Sequence, residues 1–392
     1  MESLRQMETR WLILILLFFT RISLGFQFQT MGSISSEVIT ELGLNYTQIG
    51  SLIGLFMIPG LFLAVPAGFA GKLMSDKFII GSGLVFLGLG GSVAGLAGSF
   101  DMLAAGRFIC GIGFVVSTIF FAKAATDWFE GKELATAMGV LVMSWPFGIA
   151  MGQFSHGWLA ANFDWRMAFW IASLYCLISA LLLVIFYTPP KTNPNTIKKN
   201  ASKIGKNEII LTLIASLAWS FFNAGYVVYL SFAPSILISN GHSTVSALGI
   251  ISIASWVMIF SGTLCGYITD RTKKPHTVLI ICLTISVIAL LILLYTPMAV
   301  VSSLLFGLIG MAPAGVIISL TAQSMKPKNR AIGMGLFFMG QFIFQGPSPA
   351  VAGWIYDQTL NEILPIFFAI SLFIAAGIAT LVFRMAQKRL PI

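Results

Sequence analysis

The strongest constraint on this chain is a succession of apolar segments, each close to 20 residues long and separated from the next by a short polar loop. About 20 residues of α-helix cross the ~30 Å hydrocarbon core of a membrane. Charged residues make up 9% of the chain, whereas a soluble domain carries about 25%. The sequence therefore predicts an all-α membrane protein with twelve transmembrane helices, over residues 11–35, 47–70, 79–99, 103–125, 135–159, 166–187, 208–236, 244–268, 277–296, 298–321, 331–355 and 363–384.

The two halves of the sequence repeat, since Gly157-Trp158 recurs as Gly353-Trp354 and other pairs match at the same separation of 196 residues. Between the halves lies the longest polar stretch, residues 188–207, in which several prolines prevent a continuous helix. Parallel repeats of this kind are known in membrane transporters. The repeat predicts two pseudo-symmetric six-helix bundles, 1–187 and 208–392, joined by residues 188–207 as a linker.

Lysine and arginine are distributed unevenly between the two sides of the predicted helices. All 23 of them except Arg21, Arg107 and Arg166 fall in the termini, in the linker, or near helix ends on the side of the linker. Because loops rich in Lys and Arg stay in the cytoplasm, we expect a multi-pass inner (plasma) membrane protein with both termini and the linker cytoplasmic. This placement accounts for the net charge of +9 without a nucleic-acid partner; the lipid bilayer is the expected partner.

Two short motifs lie where predicted loops meet predicted helices. The loop between the eighth and ninth helices contains Gly266, Asp270 and Arg271, and the fourth helix begins with Arg107 and Gly111. In these motifs the chain resembles the major facilitator superfamily, and the resemblance covers the whole chain. It implies two six-helix bundles that rock about a central site and expose it to each side of the membrane in turn.

The matching loop between the second and third helices contains Asp76 and Lys77, with one residue more before the aspartate. The resemblance implies that Asp76, Lys77, Asp270 and Arg271 hold the cytoplasmic gate. It also implies a gating or coupling role for Arg107, for which the alternative is a side chain that extends to the membrane surface.

A narrower resemblance rests on Asp127-Trp128-Phe129, on Glu133 and on residues 144–148, SWPFG. These residues are similar to those of the cyanate, nitroimidazole and nitrate/nitrite permease groups. The resemblance implies a small, mostly anionic solute.

Arg21 lies near the centre of the first predicted helix, where a charged side chain costs about 3 kcal/mol or more. A residue at that depth faces the interior of the helix bundle or water. Glu37 is about four turns further along the same helix and too far away to be its partner, and the predicted helices contain no other central carboxylate. We therefore expect Arg21 to bind the negative group of a solute; a structural pairing with another helix is the alternative.

Polar and aromatic side chains are predicted at a similar depth. Gln27, Asn223 and Gln341 are expected to hydrogen-bond the solute. Three tryptophans also lie near helix centres, although tryptophan normally collects at membrane surfaces. We expect them to enclose the solute, with plain packing as the alternative: Trp145, Trp219 and Trp256.

Signatures of enzymes and of cofactor sites are absent from the sequence. The three histidines are scattered, Walker-type phosphate loops are missing, and the four cysteines lie in apolar segments, as buried free thiols do. The sequence predicts a monomeric, non-enzymatic secondary active transporter of a small anionic solute, without a cofactor and with a coupling ion such as H+ as a further possible partner.

Two alternatives stay open. One is a proton-coupled exporter of apolar drugs, against which speaks the lack of a central acidic residue in the first helix. The other is a non-transporting membrane sensor or assembly factor, for which the sequence shows no soluble output domain.

A cysteine placed at Ser202 in the linker is expected to react with a membrane-impermeant maleimide only from the cytoplasm, because the Lys and Arg distribution puts the linker there. A cysteine at Asn361, between the last two predicted helices, is expected to react only from outside. Labelling of intact cells and of inverted vesicles measures both positions. Reaction of both from the same side would contradict the twelve-helix topology.

Overall fold

The computed structural model describes residues 2–70, 74–129, 133–190, 205–326 and 330–390, and the regular structure in these ranges is helical. Most of the predicted linker, 188–207, lies outside the described residues. The helices of the first half are α1 Glu2–Ser33, α2 Ser35–Leu42, α3 Tyr46–Leu55, α4 Pro59–Ala70, α5 Asp76–Gly95, α6 Phe100–Phe129, α7 Leu134–Asn162 and α8 Trp165–Phe186.

The second half has the same all-helical character. A π-helical turn at Phe306–Gly310 lies between two of its helices. The helices are α9 Lys206–Ser239, α10 Thr244–Thr272, α11 Pro275–Tyr295, α12 Ala299–Leu305, α13 Ala314–Gln323, α14 Arg330–Gln345, α15 Ser348–Thr359 and α16 Ile363–Arg389.

Eleven helical stretches in the described residues are long and apolar enough to cross a membrane. The remaining predicted segment, 331–355, is divided into α14 and α15 at Gly346-Pro347. Pro347 and Pro349 lack the N–H groups that would continue the helical hydrogen bonds. The all-α membrane fold that the sequence predicts is therefore confirmed, and this segment is built from two consecutive helices.

The second predicted segment is also divided. α3 ends at Leu55, a turn occupies residues 56–58, and α4 begins at Pro59. Other prolines do not end their helices, since α4 continues through Pro66 and α7 continues through Pro146. A proline in these segments therefore does not by itself decide where a helix ends.

Contacts between residues divide the chain into two compact units. Unit 1 consists of Met1–Leu44 and Leu55–Thr192, and unit 2 consists of Asn45–Gly54 and Asn193–Ile392. Most of α3 therefore belongs to unit 2, although it lies in the first half of the sequence.

Within unit 1, glycines allow α1 and α7 to touch backbone to backbone. A Cβ atom on Gly25 would collide with the carbonyl oxygen of Trp145, and one on Gly148 would collide with that of Ile22. Helices in lipid associate through such close contacts, because lipid tails are as apolar as the helices and provide no hydrophobic drive. These glycines bring the backbone of α7 within reach of side chains on α1.

In unit 2, side chains occupy the contact between α9 and α14, the helices that the repeat relates to α1 and α7. The repeat positions of Gly25 and Gly148 are Phe221 on α9 and Phe344 on α14, and the two rings lie 4.5 Å apart. Ser220 Oγ, next to Phe221, donates to the carbonyl oxygen of Gln341 at 2.7 Å and accepts from the Phe344 N–H at 3.2 Å. The pair α1–α7 of unit 1 is thus held by backbone contact. The repeat-related pair α9–α14 of unit 2 is held by side chains.

Replacing Gly25 by valine is expected to destabilise the protein, because the new side chain would push α1 away from α7. Overpacking of this kind costs about 1–3 kcal/mol. Gly139 on α7 provides the control, since a Cβ there meets nothing within 4 Å and Gly139→Val should melt like the parent protein. Thermal unfolding in detergent measures both variants, and equal melting temperatures would contradict the close packing of α1 on α7.

Candidate functional site

The guanidinium of Arg21, on α1 in unit 1, reaches the backbone of α7. Its Nη1 donates to the carbonyl oxygen of Leu141 and to the hydroxyl of Ser144, both at 2.8 Å. Its Nε is buried and has no acceptor, while the side chain as a whole is partly exposed. The ion pairs found among the described residues involve other cations, namely Arg10, Lys123 and Arg166.

These bonds fix the Nη1 end of the Arg21 guanidinium and leave its buried Nε donor without an acceptor. Arginine presents five N–H donors in a planar fork, of which Nη1 supplies those that bond α7. Nε and Nη2 lie along another edge, and two parallel donors of this kind match the two oxygens of a carboxylate. Arg21 therefore offers a positive charge together with an unfilled pair of donors, which is the arrangement that binds a planar anion.

Trp145, next to Ser144 on α7, belongs to a cluster of four aromatic rings in unit 1. Its ring lies 5.3 Å from Phe28 and 5.2 Å from Phe114. Phe56 lies 5.4 Å and 5.1 Å from the same two rings. The sequence singles out only Trp145, because the chain contains 33 phenylalanines and nothing in their spacing marks these three. Trp145 is partly exposed, so one side of the cluster is accessible.

Gln27 packs in the interior of unit 1. Its side chain is fully buried, and its amide donates to the thiol of Cys110 on α6 at 3.4 Å. A Cβ on Gly91 of α5 would collide with this amide. The structure therefore places Gln27 against α5 and α6 and does not bring it together with Arg21, because six residues along a helix lead to a different face.

Arg107 on α6 is also fully buried. Its guanidinium donates to the backbone carbonyl oxygens of Gln27 and Phe28, both at 3.1 Å. It also lies 4.6 Å from the centre of the Phe56 ring, within the range of a cation–π interaction. The alternative in which Arg107 extends to the membrane surface is therefore wrong.

In unit 2, a chain of hydrogen bonds joins α9 to α14. Trp219 Nε1 donates to Gln341 Oε1 at 2.8 Å, and Gln341 Nε2 donates to Gln345 Oε1 at 2.7 Å. Asn223, one turn beyond Trp219, donates to the Trp219 carbonyl oxygen at 2.9 Å and is partly exposed, as is Trp256 on α10. The structure brings Trp219, Asn223 and Gln341 together, and Gln345 extends the chain by one helical turn.

The two units differ in charge at repeat-related positions. The repeat position of Arg21 is Leu217. The carbonyl oxygen of Phe337, which corresponds to that of Leu141, accepts from the hydroxyl of Ser216 at 2.8 Å. A neutral hydroxyl thus replaces the guanidinium, so unit 1 provides a cation at this contact, whereas unit 2 provides the amide of Gln341 bonded to Trp219.

Asp76, one of the predicted gating residues, begins α5 and is buried. Lys123 on α6 donates to it at 2.6 Å and to Asp127 at 2.7 Å. Lys123 and Asp127 are one turn apart on α6, and the buried carboxylate of Asp76 joins this pair from α5. Lys123 therefore compensates the charge of Asp76 within unit 1.

Three of the other predicted gating residues lie at helix ends and are more exposed than Asp76. Asp270 and Arg271 are exposed in the last turn of α10, where Arg271 Nη1 approaches the Tyr267 hydroxyl at 3.5 Å. Lys77, in the first turn of α5, is partly exposed. These three side chains are free to form new contacts if the loops that carry them meet other parts of the protein.

The sequence of this chain matches a known protein family and is similar to several characterised proteins. The family described as Major Facilitator Superfamily matches residues 13–349. The chain is 24% identical over 348 residues to the hexuronate transporter of Bacillus subtilis (strain 168), covering 81% of each chain. It is 21% identical over 360 residues to multidrug resistance protein 1 of the same organism, covering 88% of this chain and 89% of the relative.

A solved structure shows the same fold. The crystal structure of a bacterial homologue of the human lysosomal transporter Spinster, inward-facing and unoccupied, matches with a TM-score of 0.78 and 18% identity. The match covers 97% of this chain and 98% of that chain.

Replacing Asp76 by asparagine is expected to lower the melting temperature, because Lys123 loses its buried carboxylate partner. Since Lys123 itself is exposed, the expected loss is about 1 kcal/mol. Asp270→Asn is the matched control, because the exposed carboxylate of Asp270 forms no ion pair within the described residues; it should leave the melting temperature unchanged and reduce transport. A melting temperature equally unaffected by both changes would rule out a structural role for Asp76.

Proposed function

This chain belongs to the Major Facilitator Superfamily, and on that premise we propose that the solute it carries is a small anion bound by Arg21. The protein is a multi-pass membrane protein and a secondary transporter that works by alternating access.

The main support for an anionic solute is that only the Nη1 end of the Arg21 guanidinium has hydrogen-bond acceptors. A cation within a membrane-spanning helix costs about 3 kcal/mol or more unless something compensates it. Leu141 and Ser144 compensate only the Nη1 end, and the buried Nε has no acceptor. A bound anion would supply the missing acceptors, and its attraction to Arg21 is strengthened by the low dielectric constant of the interior.

A sugar acid is the solute class that fits the available groups best. The relative from Bacillus subtilis transports hexuronate, which carries one planar carboxylate and several hydroxyl groups. The carboxylate matches the Nε and Nη2 edge of Arg21. Unit 2 carries side chains that we propose bind hydroxyl groups and the apolar faces of the solute, namely Trp219, Asn223, Trp256 and Gln341.

An exporter of apolar drugs is the second candidate function. The similarity to multidrug resistance protein 1 and the four-ring cluster around Trp145 both favour it. An apolar solute, however, would leave the charge and the Nε donor of Arg21 uncompensated, which costs free energy at every binding event. We therefore prefer an anion to an apolar drug as the transported solute.

Nitrate and cyanate, which the narrower resemblance implies, are planar or linear anions. They are small enough to bind the same Nε and Nη2 edge of Arg21.

We further propose the orientation of the protein in the membrane and the residues that control its change between the inward-open and outward-open states. The distribution of Lys and Arg favours an inner-membrane orientation with both termini in the cytoplasm, and we propose a monomer with a coupling ion such as H+. Asp76, Lys77, Arg107, Asp270 and Arg271 form the proposed gating set. In it, Arg107 acts from the interior of unit 1, through the backbone of α1 and the ring of Phe56.

Arg21→Ala is expected to abolish anion binding, because it removes both the charge and the free donor edge. Arg21→Lys keeps the charge but loses the paired donors, and we expect binding about tenfold weaker, equivalent to about 1.4 kcal/mol. A thermal-shift titration of the purified protein with glucuronate and with nitrate measures binding, since a ligand that binds the folded state raises its melting temperature. Glucose serves as the uncharged control.

Ser144→Ala tests the fixing of the guanidinium. It removes one acceptor of Nη1 and should weaken anion binding several-fold, while Ser155→Ala on the same helix, whose hydroxyl bonds only the Met151 carbonyl oxygen of α7, should not. If Arg21→Ala bound glucuronate and nitrate as the parent protein does, the anion site would be refuted. Efflux of apolar dyes by that variant would then establish the exporter.

A further inference from the structure

A group of cations in unit 2 lacks carboxylate partners. The ion pairs found among the described residues all lie in unit 1. The cations of this group are exposed, and they lie around the turn between α10 and α11 and in the last two turns of α16. We call them the basic cluster: Arg271, Lys273, Lys274, Arg384, Lys388 and Arg389.

The acidic side chains of unit 2 do not balance the basic cluster. Asp270 is beside it in α10, but Glu208 and Asp357 accept hydrogen bonds from backbone N–H groups elsewhere, and Glu362 lies at the opposite end of α16. The residues outside the described ranges add one acidic side chain, Glu130. The C-terminal ends of α10 and α16 attract cations, but each helix end is equivalent to only about half a charge. Most of the positive charge of the cluster therefore lacks a counter-charge in the described part of the chain.

α11 and α16 pack against each other in opposite directions. His276, in the first turn of α11, interacts electrostatically with Arg384, near the C-terminal end of α16. At the other end of the pair, the rings of Tyr295 and Phe367 lie 6.5 Å apart, and both are exposed. The last turns of α16 are therefore level with the turn between α10 and α11, and the exposed sides of the two helices adjoin.

A shallow groove lies between α11 and α16 on this exposed side. Gly377 of α16 is partly exposed, and a Cβ there would meet only Leu283 of α11, at 3.8 Å. Space for a further apolar group is therefore left between the two helices, about two turns from Arg384. Large apolar side chains are exposed along both helices, namely Ile281, Ile288 and Tyr295 on α11 and Ile374, Ile378 and Met385 on α16.

We propose that this groove binds an anionic phospholipid, with its phosphate in the basic cluster and one acyl chain along Gly377. Basic pockets between transmembrane helices bind anionic lipid headgroups in this way. Arg384 offers paired donors that match two phosphate oxygens, and Lys273 and Lys274 add compact charges. A free phosphate ion would balance the charge but would leave the apolar groove unfilled, so the lipid fits both features. This inference requires no particular solute.

Thermal unfolding of the purified full-length protein tests the lipid site. The protein is titrated in a neutral detergent with phosphatidylglycerol, or with phosphatidylcholine that has the same acyl chains. Phosphatidylglycerol should raise the melting temperature, because it binds the folded state, and phosphatidylcholine should raise it much less. Arg384→Gln should increase the phosphatidylglycerol concentration for half of the effect about fivefold, and the double change Lys274→Gln with Arg384→Gln about 25-fold, since each cation near the surface contributes one such factor.

Lys326→Gln is the matched control for charge. Lys326 is exposed in unit 2 but lies outside the basic cluster, where its backbone N–H bonds Glu208 of α9 at 2.8 Å. Its replacement removes the same charge and should change the half-effect concentration less than twofold. An equal change in Lys326→Gln and Arg384→Gln would overturn the site, because it would show attraction by net charge alone.

Gly377→Leu tests the groove without removing a charge. The leucine occupies the space beside Leu283 and should raise the half-effect concentration about fourfold, the effect of losing the burial of one CH₂ group. Gly315→Leu on α13, where a Cβ meets nothing within 4 Å, should leave the concentration unchanged. Equal stabilisation by the two lipids would overturn the proposal. Stabilisation by inorganic phosphate as large as that by phosphatidylglycerol would also overturn it, as would an unchanged concentration in Gly377→Leu.

Discussion

A guanidinium within a membrane-spanning helix must find its compensation inside the protein, because the surrounding lipid offers no acceptors. Arg107 meets this constraint through two backbone carbonyl groups of α1 and the face of Phe56. Arg21 meets it only at Nη1, and its Nε stays without an acceptor. One arginine of unit 1 thus holds helices together, while the other retains capacity for a ligand, and the proposed anion site depends on this difference.

The sequence repeat preserves the helices but not the chemistry between them. Glycines let α1 and α7 touch along their backbones, which brings the Leu141 carbonyl group within reach of Arg21. At the related positions of unit 2, phenylalanine rings fill the contact between α9 and α14. A scaffold of two similar halves therefore provides a cation in one half and neutral amide and indole donors in the other.

The division of the second segment follows from the same requirement that backbone polar groups be satisfied. Proline at residue 59 removes one helical N–H, and the first N–H groups of α3 have no partners of their own. Asp357 supplies acceptors for them from a distant helix. Arg107, by holding Phe56, fixes the chain just beyond the turn.

The sequence by itself determined the membrane fold, because segments of about 20 apolar residues can satisfy their backbone in lipid only as helices. It also marked Arg21, since a charge without a nearby carboxylate is visible in the sequence alone. Only the tertiary structure decided which side chains meet. Gln27 and Arg21 share a helix yet point to different faces, the Asp76 carboxylate is bonded by a lysine 47 positions away, and Asp357 caps a helix 311 positions away. Hydrogen bonds act over about 3 Å, and no local pattern in a sequence records which distant residues the fold brings within that distance.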